Sequence, residues 1–290
     1  MALFDADFMQ KLEYLTLISR KLYKGRARGE HQTFRRGSSL EFHDYRPYQP
    51  GDDFRYIDWS IYSRLDRLFV KLFAAEEDLE VQVLLDTSAS MGFGTPSKMD
   101  YSRRVAAALS YIALLNLDRV GAAAFSASVG PTLPPFRRRG VNSLFSFYEG
   151  LQAGGTTRFN ESLKSFSAKS GRPGLAIVIS DLMDPAGYQE GIRSLVYGRY
   201  DIMLIHVLSE EEIDPTLRGP FELTDVETSA RMRVSIEQSM IEAYQERLRA
   251  YFEEIEGFCL SNAIEYVRSS TLVPFEDLVL KYLRQGMYLH

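Results

Sequence analysis

The run Asp86-Thr87-Ser88-Ala89-Ser90 places one carboxylate and two hydroxyls at alternate positions directly after the apolar run VQVLL. Asp86 would close a strand, and Ser88 and Ser90 would turn their hydroxyls back over its tip. Donors of oxygen alone suit a hard cation such as Mg²⁺, which takes near-octahedral coordination at about 2.1 Å and keeps some waters. Mn²⁺ or Ca²⁺ would accept the same donors. Two later segments could converge on this tip. In Gly154-Gly155-Thr156-Thr157 the glycines permit close backbone approach and either threonine could supply a hydroxyl. Asp181 follows the apolar run LAIVIS and offers a second carboxylate, direct or through water, with Asp184 nearby as an alternative. Asp and Ser also favour turns and helix caps, so the triplet alone describes a cap before the next helix equally well. The apolar strand before it, GGTT and a second strand ending in Ser-Asp weigh for a metal site.

The elements that would position these residues alternate. Strand-like runs are expected at 81–86, 119–130, 174–182 and 200–209, separated by helical patterns at 97–118, 141–152 and 186–199 and by a loop leading into a helix over 154–170. Such alternation predicts an α/β fold, a doubly wound, mostly parallel sheet of Rossmann type with helices on both faces. Ligands bind such sheets beyond the carboxyl ends of the strands, where the motifs fall. Residues 3–23 have helical spacing, ending near Gly25. Residues 25–60 carry Gly, Pro, Arg, Asp and aromatics without periodicity, and 67–75 reads as a strand. We therefore expect an N-terminal helix and small β-rich lobe over 1–78, with the α/β domain over 79–290. After 210 the alternation breaks. FELTDVETSARMRVSI has a period near two and predicts a hairpin, followed by a helix at 238–262, a strand at 263–270 and a helix at 274–287.

Charge and composition exclude several classes. The 290 residues carry a net charge of −5, so no global basic field for nucleic acid exists. The basic segment from Arg20 to Arg36 is expected to pair with Asp44, Asp52, Asp53 and Asp58, and Arg137–Arg139 to form an exposed turn. The single cysteine, Cys259, forms no intrachain disulfide and reads as a buried small hydrophobe. A reducing, cytoplasmic setting is expected. The strongest apolar stretch, 105–117, falls short of the about 20 residues of a membrane span, and the N-terminus does not resemble a signal peptide.

The arrangement DxSxS, a later Thr in a Gly-containing loop and an Asp ending a further strand resembles the metal-ion-dependent adhesion site of von Willebrand factor A domains. The resemblance covers about 79–209 and extends toward 290. It implies Asp86, Ser88, Ser90, Thr156 and Asp181 as ligands, with Thr157 adjacent to the fourth. A second resemblance rests on Gly37, Ser39, Glu41, Phe42, Asp44, Arg46, Tyr48, Gly51, Asp52, Asp53, Arg55, Ile57, Asp58 and Trp59, followed by DTSASM. This pattern is similar to the signature of domain-of-unknown-function family 58. It implies a bacterial protein, here without the N-terminal membrane helices of many members, that acts with MoxR-type AAA+ ATPases in protein maturation or complex assembly.

Two carboxylates and three neutral hydroxyls would leave a divalent ion electrophilic, able to accept an Asp or Glu from another protein. The expected function is metal-dependent protein binding, with an AAA+ ATPase or its client as partner and no enzymatic activity. The rivals are a metal-dependent, phosphatase-like hydrolase and a scaffold with a vestigial site. A hydrolase needs a base or nucleophile beside the ion. The four histidines show no such pairing, and no HExxH, GxSxG or GxxxxGK[ST] occurs. His206, inside an apolar strand, reads as a core residue. The run VQVLLDTSAS resembles the strand ending of aspartyl phosphatases, but Ser88 stands where those sites place a second Asp. In the lobe, Trp59, Tyr48 and Phe54 are expected to pack at a junction, and Asp52, Asp53, Arg55 and Asp58 to form an ion-pair network.

Overall fold

The computed structural model describes residues 3–26, 42–73, 80–116, 119–137, 140–169 and 172–285. In chain order, helix α1 (Ala6–Arg26) is followed by β1 (Phe42–Pro47), α2 (Trp59–Leu65) and β2 (Phe69–Phe73). Next come β3 (Glu80–Asp86), α3 (Lys98–Leu115), β4 (Arg119–Phe125), β5 (Val129–Phe136), α4 (Val141–Gly150) and α5 (Phe159–Lys169). Then follow β6 (Leu175–Ser180), α6 (Gln189–Tyr197), β7 (Asp201–Leu208), α7 (Glu210–Ile213), β8 (Gly219–Thr224) and β9 (Arg231–Ile236). The described chain ends with α8 (Gln238–Ser261), β10 (Glu265–Ser270) and α9 (Phe275–Gln285). Contacts divide it into a larger unit, residues 3–23 with 80–285, and a smaller one holding 42–73.

The larger unit is a mixed α/β fold around a six-stranded sheet of order β10-β7-β6-β3-β4-β5, parallel except for β5. Alternation along the buried strands feeds two cores, one on each face. Val81, Val83 and Leu85 of β3 join Ile177 and Ile179 of β6 and Ile205 of β7 in one core, against Val105 and Leu109 of α3 and Leu144 of α4. Leu84, Val178 and Leu204 face the other core, with Leu163 of α5, Ile192 of α6 and Ile255 and Cys259 of α8.

Several elements differ from expectation. Helix α1, expected to belong with the lobe, joins the larger unit instead: Phe8, Leu12 and Leu15, spaced by four and three residues, belong to its core. Phe8 packs against Phe275 of α9 at 5.0 Å. Helix α1 also runs past Gly25 to Arg26. The strand expected at 119–130 ends at Phe125, and the Pro-rich segment after it forms β5. Its prolines lack a donor for a second neighbour, and β5 occupies the antiparallel edge, where none is needed. Strand β10, expected in a C-terminal extension, pairs in parallel with β7 as the other edge.

The smaller unit pairs β1 with β2 in antiparallel fashion and adds an unexpected helix, α2. Asp58 starts that helix by accepting from the amides of Ser60 at 2.9 Å and Ile61 at 3.2 Å. Asp66, at φ 51°, ends it. Of the expected network, Arg55 pairs with Asp53 at 2.7 Å, while Asp52 and Asp58 take partners that were not expected, Arg46 at 2.7 Å and Lys71 at 3.1 Å. The aromatics are less packed than expected. Tyr48 stacks on Phe54, but Phe54 and Trp59 expose 65% and 61% of their surfaces. Gly37, Ser39 and Glu41 lie outside the described residues, as does the basic segment from 27 to 36.

The Lys71 ammonium, aided by the Ile61 amide and the Tyr45 hydroxyl and opposed by burial, holds the Asp58 carboxyl down at about 2. Because this lies below the ordinary 3.8, the contribution of Asp58 to stability is complete above about pH 4 and is lost as pH falls toward about 2. Trp59, the only tryptophan, begins the helix that Asp58 caps, so its fluorescence reports this unit. Denaturation followed by Trp59 should show a midpoint that drops between about pH 5 and about pH 2. In Asp58→Asn the midpoint should already be lower at pH 5 and should fall less across that window.

Candidate metal centre

In the sheet order, β4 lies on one side of β3 and β6 on the other, so the order in which strands are added reverses at the parallel β3–β6 pair. Open α/β sheets leave a crevice at this switch point, beyond the carboxyl ends of the strands. Asp86 ends β3 and Asp181 follows β6, and both are fully buried. Each carboxylate is held by the turn it begins. Asp86 Oδ1 accepts from the Ser88 amide at 2.9 Å, and Oδ2 accepts from the Ser180 hydroxyl at 2.6 Å. Asp181 Oδ1 accepts from the Met183 amide at 3.1 Å. Ser180 also accepts from the Leu182 amide at 3.0 Å, so it links the two turns.

The Ser88 and Ser90 hydroxyl oxygens stand 3.0 Å apart. The two hydroxyls share a hydrogen bond, and because adjacent corners of an octahedron with bonds of about 2.1 Å are separated by about 3.0 Å, the pair also has the spacing of two neighbouring ligands of Mg²⁺. The donors are all oxygens, as such an ion requires. Among the described residues no three His, Cys, Asp or Glu side chains group as a metal site. Coordination here would therefore depend on hydroxyls as well as carboxylates.

The glycine loop reaches the same edge. The Gly154 amide donates to Thr87 O at 2.8 Å and the Ala89 amide to Gly155 O at 2.9 Å, which ties residues 154–155 to the DTSAS turn. Gly155 sits at φ +82°, a conformation that favours glycine. Thr156 is exposed, whereas Thr157 is buried. The Thr157 amide and hydroxyl both donate to Glu227, at 2.9 and 2.6 Å. Asp184, the alternative carboxylate, is engaged elsewhere. Its oxygens accept from the Phe159 amide at 2.7 Å and the Ala186 amide at 2.8 Å, which caps α5.

Three side chains at this edge escaped the sequence reading. Lys98, with no exposed side-chain surface, places its ammonium 2.6 Å from Asp181 Oδ2 and 2.5 Å from Glu212 Oε1. Glu212 also closes a capping box on α7, its Oε2 accepting from the Ser209 amide at 2.8 Å. Glu227 is the third. Lys98 had a signal: it is the first residue of α3, after the cap Ser97, where the helix dipole disfavours a cation. A lysine placed there implies an acidic partner. Ser209-x-x-Glu212 is a legible capping box, but its second role is not. Glu227 lies in a hairpin turn with no spacing to announce it.

Charges at the centre comprise the carboxylates of Asp86, Asp181 and Glu212 and the ammonium of Lys98. Burial, then the neighbouring charge of Asp181, pushes Asp86 up to about 7, against the hydrogen bonds from Ser180 and Ser88. Burial alone would lower the pKa of Lys98, but Asp181 and Glu212 outweigh it and raise it, so the ammonium persists. With Asp86 ionised the local sum is minus two, and a bound divalent ion would favour that ionised form. His206, one strand away, is buried as expected. Burial pushes it down to about 4, and its Nδ1 lies 2.8 Å from the Tyr266 hydroxyl. Cys259 is likewise buried, and its thiol is pushed up to about 12.

The larger unit thus defines a class: a mostly parallel α/β sheet carrying buried carboxylates and hydroxyls at its switch point. Residues 44–254 match the family described as Protein of unknown function DUF58, and the chain belongs to that family. The chain is 25% identical over 257 residues to Uncharacterized protein Mb1516 of Mycobacterium bovis and to Uncharacterized protein Rv1480 of Mycobacterium tuberculosis, covering 87% of this chain and 81% of each relative. Among solved structures it is similar to the conserved hypothetical protein BatB from Bacteroides thetaiotaomicron, with TM-score 0.45 and 16% identity over 71% of this chain and 99% of that one. An aerotolerance-related membrane protein from Bacteroides fragilis gives TM-score 0.42 and 14% identity over the same shares. Among the described residues no helix is long and apolar enough to cross a membrane.

Lys98 is expected to be a structural necessity. Lys98→Met keeps the length of the side chain but leaves Asp181 and Glu212 without their cation. Removing one partner of a buried ion pair costs about 3–5 kcal/mol. Urea unfolding of Lys98→Met should show a loss of that order, and a loss below about 1 kcal/mol, the worth of an exposed pair, would contradict this account of the centre.

Proposed function

We propose that the chain is a divalent-cation-dependent protein-binding module, with a von Willebrand factor A-like domain as its larger unit. Asp86, Ser88, Ser90 and Asp181 would hold Mg²⁺, with a hydroxyl from the 156–157 pair. Thr157 suits that role better than Thr156, because it is buried beside the DTSAS turn. The observation that carries this reading is the Ser88–Ser90 pair, set at the spacing of adjacent octahedral ligands beside the buried Asp86 carboxylate. When bound, the ion would supply a Lewis-acidic position for a carboxylate of another protein. Asp86 supplies the anionic ligand, and the two serines orient neutral ones. Asp181, with Oδ2 already on Lys98, contributes through its remaining lone pairs or a water.

Binding is favoured over turnover because His206, the histidine nearest the centre along the sheet, is buried, pushed down to about 4 and bonded to Tyr266, which makes it a weak and enclosed base. The partner in this proposal is a MoxR-type AAA+ ATPase or its client, offering an acidic side chain, in the cytoplasm. That part rests on the resemblance of the 37–59 signature and of DTSASM. One observation favours a second reading, a scaffold with a vestigial site: the Lys98 ammonium already neutralises Asp181.

Calorimetric titration of Mg²⁺ and Mn²⁺ separates the two. Saturable binding to the parent, lost in Asp86→Ala and weakened at least about tenfold in Ser88→Ala, about 1.4 kcal/mol, is the expected result. Absence of binding in the parent would sink the metal reading and leave the scaffold.

A further inference from the structure

Strands β8 and β9 form a two-stranded sheet of their own between α7 and α8. All their residues are exposed or half-buried. A lone hairpin of this kind is marginal in water, so its place depends on what holds its ends. Its turn is built with care. Asp225 accepts from the amides of Glu227 at 2.9 Å and Thr228 at 2.7 Å, and its own amide donates to Ala230 O at 2.8 Å. This fold of the turn directs the Glu227 carboxylate onto Thr157, 70 residues away in sequence. There one carboxylate takes two donors, the amide at 2.9 Å and the hydroxyl at 2.6 Å. A backbone amide and a side-chain hydroxyl converging on one carboxylate form a small anion-recognition element. It lies on the loop that is hydrogen-bonded to the DTSAS turn.

We propose that Glu227 is a carboxylate supplied by the chain itself, holding the Thr157 donors beside the candidate cation site against a partner's Asp or Glu, and that the β8–β9 hairpin is a latch which another protein must displace. This rests on the reading of the centre as a cation site for partner carboxylates and adds its regulation. The Thr157 hydroxyl connects the two. A hydroxyl that turns a lone pair toward a cation must send its proton elsewhere, and Glu227 Oε1 is where that proton points. Closure of the hairpin therefore orients the threonine while denying its donors to other carboxylates. If the latch is open about one time in ten, the apparent affinity for an outside carboxylate is reduced about tenfold.

The probe is acetate, titrated into Mn²⁺-loaded protein and followed by water-proton relaxation. In Glu227→Ala the acetate midpoint should fall at least about tenfold below that of the parent. Glu227→Gln keeps the size and an acceptor oxygen, guards against a turn that merely unravels, and should shift in the same direction. Hydrogen exchange of residues 219–236 should be faster in both variants, and in the parent it should quicken as acetate is added. Equal acetate midpoints in parent and variants, with Mn²⁺ affinity intact, would overturn the latch while leaving the cation site standing. Mn²⁺ affinity that is undetectable in the parent, or unchanged in Asp86→Ala, would instead remove the cation site, and the latch with it.

Discussion

Two carboxylates with no exposed surface stand at the carboxyl ends of adjacent parallel strands, and the rest of this edge is arranged to make that tolerable. An unpaired buried anion is prohibitive, and two close together raise each other's cost of ionisation. The structure answers with donors in a fixed order. Turn amides at Ser88 and Met183 take one oxygen of each carboxylate. The Ser180 hydroxyl takes the other oxygen of Asp86, and the Lys98 ammonium takes that of Asp181. Lys98 then needs a second anion to remain charged in the interior, and Glu212 supplies it. Helix α3 begins at Lys98 and α7 is capped through Glu212, so the positions of two helices are tied to the charge balance of the centre.

This chain of dependence explains which parts were legible in the sequence. Strands β3, β6 and β7 are runs of branched and apolar residues buried on both faces, and such runs announce themselves. Asp86 and Asp181 were legible because a charge at the end of such a run has nowhere to go but the sheet edge. Lys98 and Glu212 were not read because their meaning is pairwise: they lie 114 residues apart. Strand β5 was hidden for another reason. Its prolines argue against a central strand, and only the sheet order shows that it needs hydrogen bonds on a single side. The spacing of Phe8, Leu12 and Leu15 defines helix α1 but not its neighbour, since periodicity reveals an apolar face and not what covers it.

The signature segment has a different character. Among its described residues, Arg46, Asp52, Asp53, Arg55 and Asp58 are engaged in ion pairs or caps within the smaller unit. Ile57 is buried beside Val70, to which it is bridged. These residues read as the framework of a small unit that lacks a large core, where polar networks and caps replace apolar area. The aromatic side chains of Phe54, Trp59 and Tyr62 are displayed on that framework, exposing 65, 61 and 40% of their surfaces.

Seen from the charges, the candidate centre has two sides. Asp86 and Asp181 form an anionic side, partly neutralised by Lys98. The Thr157 amide and hydroxyl form a donor side, filled by Glu227. A cation held by the first would strengthen the second, because its charge would favour any carboxylate on the Thr157 loop. Ion and carboxylate would then bind with positive coupling, and by linkage each would tighten the other by the same factor. Under the proposed function this coupling sets a requirement on the partner. Its acidic side chain competes with a tethered carboxylate already in place, so it must bring further contacts to pay for opening the hairpin. The hairpin itself offers apolar side chains for such contacts: Val226 in the turn and Met232 in β9 expose 56 and 61% of their surfaces. A partner that gripped those residues would move the latch and reach the centre in one motion, which joins recognition of the hairpin to access to the ion.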